Sequence, residues 1–363
     1  MKKIGIIGGG QLGLMIIVEA HQLGAQTVCL DPSEDAPAFA LSDECVVGEF
    51  DDPQALEYLC AQSDVVTYEF ENIPGDLLVS LSEKYNIKQG SRPLFDSQDR
   101  LREKDNAREH GLQTPGYKAV DDAESLRAAV LEMGFPCVLK TRTLGYDGHG
   151  QAVLKGVEDV DGALPMLAVP CILEEFVHFD FEASIVMVAD DEQIVSFPVG
   201  RNIHKGGILD LCLVPAAMDD MLRDRLVAQS KQFMRACGYR GILAIEYFIR
   251  GEEILFNEMA PRPHNSGHYT IEGCTTNQFR ELVRYLLEMP LEQPELVRPT
   301  VMKNILGEDL TAAERMAKGE HPDCYVHLYG KTVNKPKRKM GHITFVGMTA
   351  EEYMSEWAAE FVK

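Results

Sequence analysis

GILAIEYFIRGEEILFNEMAPRPHNSGH, residues Gly241 to His268, reads as two β-prone runs joined by a polar, glycine-containing turn, with Glu246 on one arm and Glu258 on the other. If the connection runs from Arg250 to Ile254, Ile249 pairs with Leu255 and Glu246 falls opposite Glu258 on one face of the ribbon. Two facing carboxylates repel each other unless a cation lies between them. A hard divalent ion such as Mg²⁺, bridging to nucleotide phosphates, would resolve the conflict. An ordinary hairpin with one glutamate turned to solvent stays open as well, because a slip of one residue moves a side chain to the other face.

Upstream of the hairpin, MDDMLRDRLVAQSKQFMRACG has the spacing of an amphipathic helix, and CILEEFVHFDFEASIVMVAD reads as a strand, a break and a long strand. EQIVSFPVG would pair back onto that long strand across the turn Ala189 to Glu192. FPCVLKTRT is a strand carrying Lys140 near its end, and GYDGHG, Gly145 to Gly150, follows as a glycine-rich turn. A strand lysine under a glycine-rich cover can neutralise phosphates while backbone amides close over them. No GKS or GKT is present in that loop and no helix follows, so it is not a Walker A turn. Glu174 and Glu175 end an apolar strand, where backbone groups and a carboxylate could meet a base edge and ribose hydroxyls. Glu182 and His204 are polar points in β-like text. Each alone reads as a surface residue.

The first hundred residues alternate strand and helix, as in an α/β domain. KIGIIGGG is a buried strand, QLGLMIIVEAHQLG an amphipathic helix and QTVCLD a second strand ending in Asp31. Gly8, Gly10 and Gly13 then satisfy GxGxxG between strand and helix, the pattern of a dinucleotide site. The same glycines serve simple helix-on-strand packing, so both uses are open. SRPLFDSQDRLREKDNAREHG is expected to form one charged helix leading into a new domain. NQFRELVRYLLEMP is a helix stopped at Pro290, and PTVMKNILG with the β-rich end suggests a small third domain holding its own sheet. The expected boundaries are 1–96, 97–300 and 301–363.

With 363 residues, the chain can bury more than one core. A formal net charge of −22 argues against nonspecific nucleic-acid binding, which depends on neutralising phosphates. Anionic ligands must then be met by local cations. KTVNKPKRK, Lys331 to Lys339, supplies four lysines and one arginine between two apolar runs, either as a phosphate-holding loop or as a solvated turn. No apolar run approaches the roughly 18 residues that span a bilayer, and the start has no signal-peptide pattern, so a soluble cytoplasmic protein is expected. Nine cysteines without a CxxC read as reduced, mostly buried thiols.

The order of lysine strand, glycine flap, acidic strand end and glutamate hairpin resembles the ATP-grasp superfamily. Within it, the chain is similar to the N5-carboxyaminoimidazole ribonucleotide synthases, the ATPase subunit of bacterial phosphoribosylaminoimidazole carboxylase. IGIIGGGQLG at the start, VVTYEFENIP from Val65, QDRLREK from Gln98, LKTRTLGYDGHGQ from Leu139, NIHKGGIL from Asn202 and NEMAPRPHNSGH from Asn257 carry the likeness. It implies an ATP-grasp fold with an N-terminal Rossmann-like domain and a small C-terminal β-rich domain, and a homodimer. It also implies ATP-dependent carboxylation of aminoimidazole ribonucleotide with bicarbonate in purine biosynthesis.

On matching positions the resemblance places ATP among Arg100, Lys104, Lys140, Glu174, Glu175, Phe176, Val177, Glu182, His204, Asn257 and Glu258, under a loop of Tyr146, Asp147, Gly148, His149, Gly150 and Gln151. Glu246 and Glu258 would hold Mg²⁺. Glu71, Tyr146, Asp147 and Arg262 would meet the ribonucleotide, with Lys331 and Arg338 on its phosphate. Arg262, His264 and Asn265 would surround the bicarbonate and, with Lys140, form the catalytic set. His149 stands where relatives usually carry lysine or arginine. The GxGxxG turn is not the ATP site of such proteins. Competing expectations are an NAD-dependent dehydrogenase using that turn, a formate-dependent ATP-grasp glycinamide ribonucleotide transformylase, and a noncatalytic nucleotide-binding regulator.

Overall fold

A computed structural model of the chain describes residues 1–145, 150–319 and 321–361. Strands β1 (Lys3–Ile7), β2 (Gln26–Asp31), β3 (Glu44–Val47) and β4 (Val65–Tyr68) form a parallel sheet in the order β3-β2-β1-β4. Parallel neighbours need crossover connections, and the helix Gln11–Gln22 supplies the one between β1 and β2. It buries Leu12, Ile16, Ile17 and Ala20 beside Ile4 and Ile6 of β1. A second, antiparallel sheet holds β5 (Tyr117–Val120), β6 (Cys137–Thr141), β7 (Gln151–Leu154) and β8 (Cys171–Glu175) in the order β5-β8-β6-β7.

The largest sheet has nine strands. It contains β9 (Phe181–Ala189), β10 (Ile194–Ser196), β11 (Gly200–Lys205), β12 (Ile208–Val214), β13 (Gly241–Arg250), β14 (Glu253–Ala260), β15 (Thr300–Leu306), β16 (Cys324–Leu328) and β17 (Lys339–Val346). The main path runs β14-β13-β9-β11-β12-β15-β17-β16, with β10 paired to β9. The C-terminal strands therefore do not form a sheet of their own, contrary to expectation. β15 is buried along Thr300 to Ile305 and needs a partner on each side, which β12 and β17 provide.

Two other expectations are corrected. The charged stretch after Ser91 forms two helices, Arg92–Ser97 and Arg100–Glu109. Asp99 is extended, and its carboxylate caps the second helix by accepting from the Leu101 and Arg102 amides at 2.9 and 3.3 Å. In the glutamate hairpin, Ile249 pairs with Ile254 rather than Leu255, across a turn of Gly251 and Glu252. A β-bulge at Asn257 then restores the register, so Glu246 still faces Glu258.

One core joins the N-terminal layer to the large sheet. Ile16 and Ile17 share a cluster with Val186, Ile242, Phe279 and Leu282. Glu19 accepts from Asn277 and Arg280 across that seam at 2.6 and 2.8 Å. The nine cysteines are free thiols, and only Cys45 is exposed. No helix among the described residues is long and apolar enough to cross a membrane.

Candidate functional site

A cavity of about 840 Å³ opens where the three sheets meet. Its wall includes Lys140 of β6, Gln151 of β7, Glu174 and Glu175 of β8, Phe176 and Val177 beyond it, Glu182 of β9 and His204 of β11. Glu246 of β13 and Asn257 and Glu258 of β14 line it, as do Glu71, Arg100, Arg262, His264 and Asn265. Lys104 is fully buried behind the wall. Tyr146, Asp147, Gly148 and His149 lie outside the described residues, and Gly150 is not part of the wall.

Glu174 receives Lys140 at 2.9 Å and Lys104 at 3.4 Å. Burial alone would raise its carboxyl, yet the two ammonium groups hold it down to about 2. Only one oxygen is used this way: Oε1 is buried without a hydrogen-bond partner in the protein. A buried bare acceptor suits a ligand N–H donor. Close by, Phe179 and Phe248 stack at 4.9 Å and 10° on the cavity wall, giving a flat apolar surface for a base. Sequence reasoning overlooked both. Phe248 stands two residues from Glu246 on one strand, which is the signal that could have found it.

The bulge decides the acidic corner. In a regular strand Asn257 and Glu258 would point to opposite faces, whereas here both reach the cavity. Glu258 pairs with Arg100 at 3.0 Å, and Glu246 accepts from the Asn202 amide at 3.1 Å. Burial and the Glu258 charge push Glu246 up; Arg100 overrides burial at Glu258 and holds it down. Asn257 Oδ1 is buried without a hydrogen-bond partner beside them. Two carboxylates and an unsatisfied amide oxygen form a donor set that fits a hard divalent cation.

Glu182, His204 and Glu246 also bring donor atoms within 4.8 Å of one another. Their chemistry is different. His204 Nδ1 lies 2.5 Å from Glu182, and although burial lowers imidazole basicity, the surrounding glutamates raise it above the ordinary histidine value. With Nδ1 turned to Glu182, the ring is engaged by a carboxylate of its own cluster.

Arg262 pairs with Glu71 at 2.9 Å, and His264 Nδ1 lies 3.9 Å from Glu246 of the acidic corner. His264 is pushed down to about 3, first by burial and then by Arg262 and Lys339, so the ring is neutral near pH 7. Its Nδ1 accepts from the Ser266 amide at 3.3 Å, which leaves the proton on Nε2. Asn265 exchanges hydrogen bonds with Asn304 at 2.9 and 2.5 Å. The basic loop contributes Lys339 to the wall. Lys331 donates to the Lys339 carbonyl and helps lower Glu69, while Arg338 donates to the Val333 carbonyl and acts on Asp35.

The GxGxxG turn is already occupied by the protein's own carboxylates. The Gly9 amide donates to Asp31 at 2.8 Å and the Gly10 amide to Glu69 at 2.7 Å. A Cβ on Gly13 would sit 2.4 Å from the Gly8 carbonyl oxygen, so close packing accounts for that glycine. The amides that would hold a pyrophosphate are taken, and the dehydrogenase expectation loses its site. Glu69 also lines the large cavity and was overlooked in the sequence.

Comparison with known proteins agrees with this architecture. Family models match at residues 1–96 (ribonucleotide synthetase preATP-grasp domain), 105–279 (ATP-grasp domain) and 300–356 (phosphoribosylaminoimidazole carboxylase C-terminal domain). N5-carboxyaminoimidazole ribonucleotide synthase of Staphylococcus haemolyticus is 37% identical over 353 residues, 96% of this chain and 94% of that protein. The crystal structure of the Staphylococcus aureus synthetase complexed with ADP superposes with a TM-score of 0.95 at 36% identity, covering 99% of this chain and 97% of that one. The Aspergillus clavatus synthase in complex with ADP and 5-aminoimidazole ribonucleotide gives a TM-score of 0.92 at 28% identity, covering 99% and 97%. The chain belongs to the N5-carboxyaminoimidazole ribonucleotide synthase family of ATP-grasp proteins.

Proposed function

We infer that this chain carboxylates 5-aminoimidazole ribonucleotide with bicarbonate at the expense of ATP, giving N5-carboxyaminoimidazole ribonucleotide, ADP and phosphate through carboxyphosphate. The observation that carries the reading is one cavity joining a lysine-lined acidic pocket, an oxygen-rich corner and an Arg-His-Asn cluster. Glu174 Oε1 and the Phe179–Phe248 pair receive the adenine, with Lys140 beside the phosphates and Glu182 and His204 along the nucleotide. Glu246, Glu258 and Asn257 would hold Mg²⁺, which when bound neutralises phosphate charge so that an anionic nucleophile can approach.

Bicarbonate oxygen attacks the γ-phosphorus, the bond to the bridging oxygen breaks, and ADP leaves. The exocyclic amine then forms its N–C bond to the carboxy carbon, phosphate departs and the amine gives up a proton. Arg262 can donate two parallel hydrogen bonds to a planar carboxy group, and Glu71 fixes its guanidinium. Neutral His264 is a hydrogen-bond donor through Nε2 and not an acid at working pH. Lys331 and Arg338 serve the 5′-phosphate, with Lys339 facing the cavity. Family likeness supports a homodimer in the cytoplasm, and light scattering at micromolar protein checks the assembly.

The test is ADP release with Mg²⁺ and bicarbonate, with and without the ribonucleotide, beside direct detection of the labile carbamate. Ribonucleotide-dependent turnover is expected; its absence would end the reading. Glu258→Gln should lower kcat about 100-fold or more, since it removes a charge that acts on the transferring phosphoryl group. Near-normal turnover of this variant at limiting Mg²⁺ would contradict the cation role.

A further inference from the structure

Asn304, on β15, is fully buried and is not part of the cavity wall. Its Nδ2 lies 2.7 Å from the Leu209 carbonyl oxygen. A backbone carbonyl can only accept, so the atom facing it must be the amide nitrogen. The second hydrogen on that nitrogen goes to Asn265 Oδ1 at 2.5 Å, and Asn304 Oδ1 accepts from Asn265 Nδ2 at 2.9 Å. The polarity of one main-chain group on β12 is thus passed through Asn304 to Asn265. A flipped Asn265 would set oxygen against oxygen and nitrogen against nitrogen, each uncompensated in a buried setting.

The main chain beside it is held independently. Gln278, fully buried at the start of the helix Gln278–Leu286, accepts from the His264 amide and donates to the His264 carbonyl, both at 2.9 Å. Backbone and side-chain polarity are therefore set by two different elements. With its inner hydrogen and one lone pair engaged, Asn265 offers the cavity one N–H and one lone pair in a single orientation.

We propose that Asn304 is a positioning residue for the carboxylation, fixing which end of the Asn265 amide meets the reacting carboxy group. The proposal rests on the function inferred above. A fixed N–H beside a carboxy oxygen stabilises charge there, while a freely turning amide would present its oxygen part of the time and repel it. Asn304 touches no substrate, so all of its effect passes through Asn265.

A double-mutant cycle tests this, with Asn304→Ala, Asn265→Ala and the pair, reading carbamate formed per ADP, kcat and the KM for bicarbonate. Asn304→Ala should lower carbamate-forming kcat/KM about 10-fold with ADP affinity unchanged, and should add less than twofold when Asn265 is already alanine. Independent losses that multiply would overturn the proposal. Asn304→Leu, which keeps volume but removes both donated hydrogens and the acceptor, carries the same cycle if the alanine variant does not fold. Amide-hydrogen protection of the Asn265 side chain, followed by NMR, reads positioning without turnover and should fall in Asn304→Ala or Asn304→Leu. Unchanged protection sinks the proposal whatever the activity, whereas wild-type protein lacking ribonucleotide-dependent ADP release sinks the functional reading instead.

Discussion

Glu69 sits on the Gly10 amide at the start of a helix, facing the cavity together with Arg262, and it feels the charges of Asp31 and Lys331. Burial raises its carboxyl to about 7, partly offset by the Gly10 hydrogen bond and by the two cations, while Asp31 adds to the rise. Below the ordinary value near 4.5 both folded and unfolded chains carry a proton there. As pH climbs from 4.5 to 7, the unfolded chain ionises first, so folding stability is lost across that window and stays lower above it. Glu69→Gln keeps an oxygen for Gly10 and removes the charge. At pH 8 it should stabilise the ligand-free protein by about 1–2 kcal/mol, less than the whole shift implies because the cavity admits water. The gain should vanish near pH 4.5, as checked by urea unfolding at both pH values. A gain independent of pH would point to another cause. In the sequence Glu69 is one more acid after a strand, since only burial and a helix start 59 positions away make it unusual.

The hairpin of β13 and β14 shows what a pattern of alternating residues can and cannot say. Facing glutamates were legible, yet the path to them was not: the turn is one residue tighter than expected, and the bulge at Asn257 makes up the difference. Bulges leave little trace in composition. Gly251 turns with φ of 57°, and a Cβ there would meet nothing within 4 Å. Gly251→Ala should therefore cost about 1 kcal/mol by backbone strain alone. A lowered urea midpoint with unchanged slope and unchanged ADP affinity is the expected result; loss of ADP binding would show that the turn sets the acidic corner. The break at Asp99 has the same moral. A helix-capping aspartate inside a charged run is visible only once its carboxylate is seen on the Leu101 and Arg102 amides and on Arg142.

At the scale of the molecule, the C-terminal strands complete the large sheet. β15 pairs with Leu211 to Val214 of β12, and Val301, Ile305, Ile343 and Phe345 share a buried cluster with Leu211. A chain ending at Pro299 would expose that edge and its apolar neighbours. It should aggregate or fail to bind ADP; a soluble 1–299 fragment with normal ADP affinity would show that the sheet is not one unit. Asn304 makes the dependence chemical as well as mechanical, because a C-terminal strand reaches the back of the Arg-His-Asn cluster.

By itself the sequence determined the strand and helix types, the acidic hairpin, the lysine strand and the family, since these rest on local periodicity and on contiguous motifs. Tertiary structure alone decided that Asp31 and Glu69 fill the glycine turn, that β15 extends the central sheet, that Phe179 and Lys339 line one cavity, and that Asn304 meets Asn265 behind its wall. Each of those outcomes depends on burial and on partners distant along the chain, and neither is encoded in the spacing of neighbours.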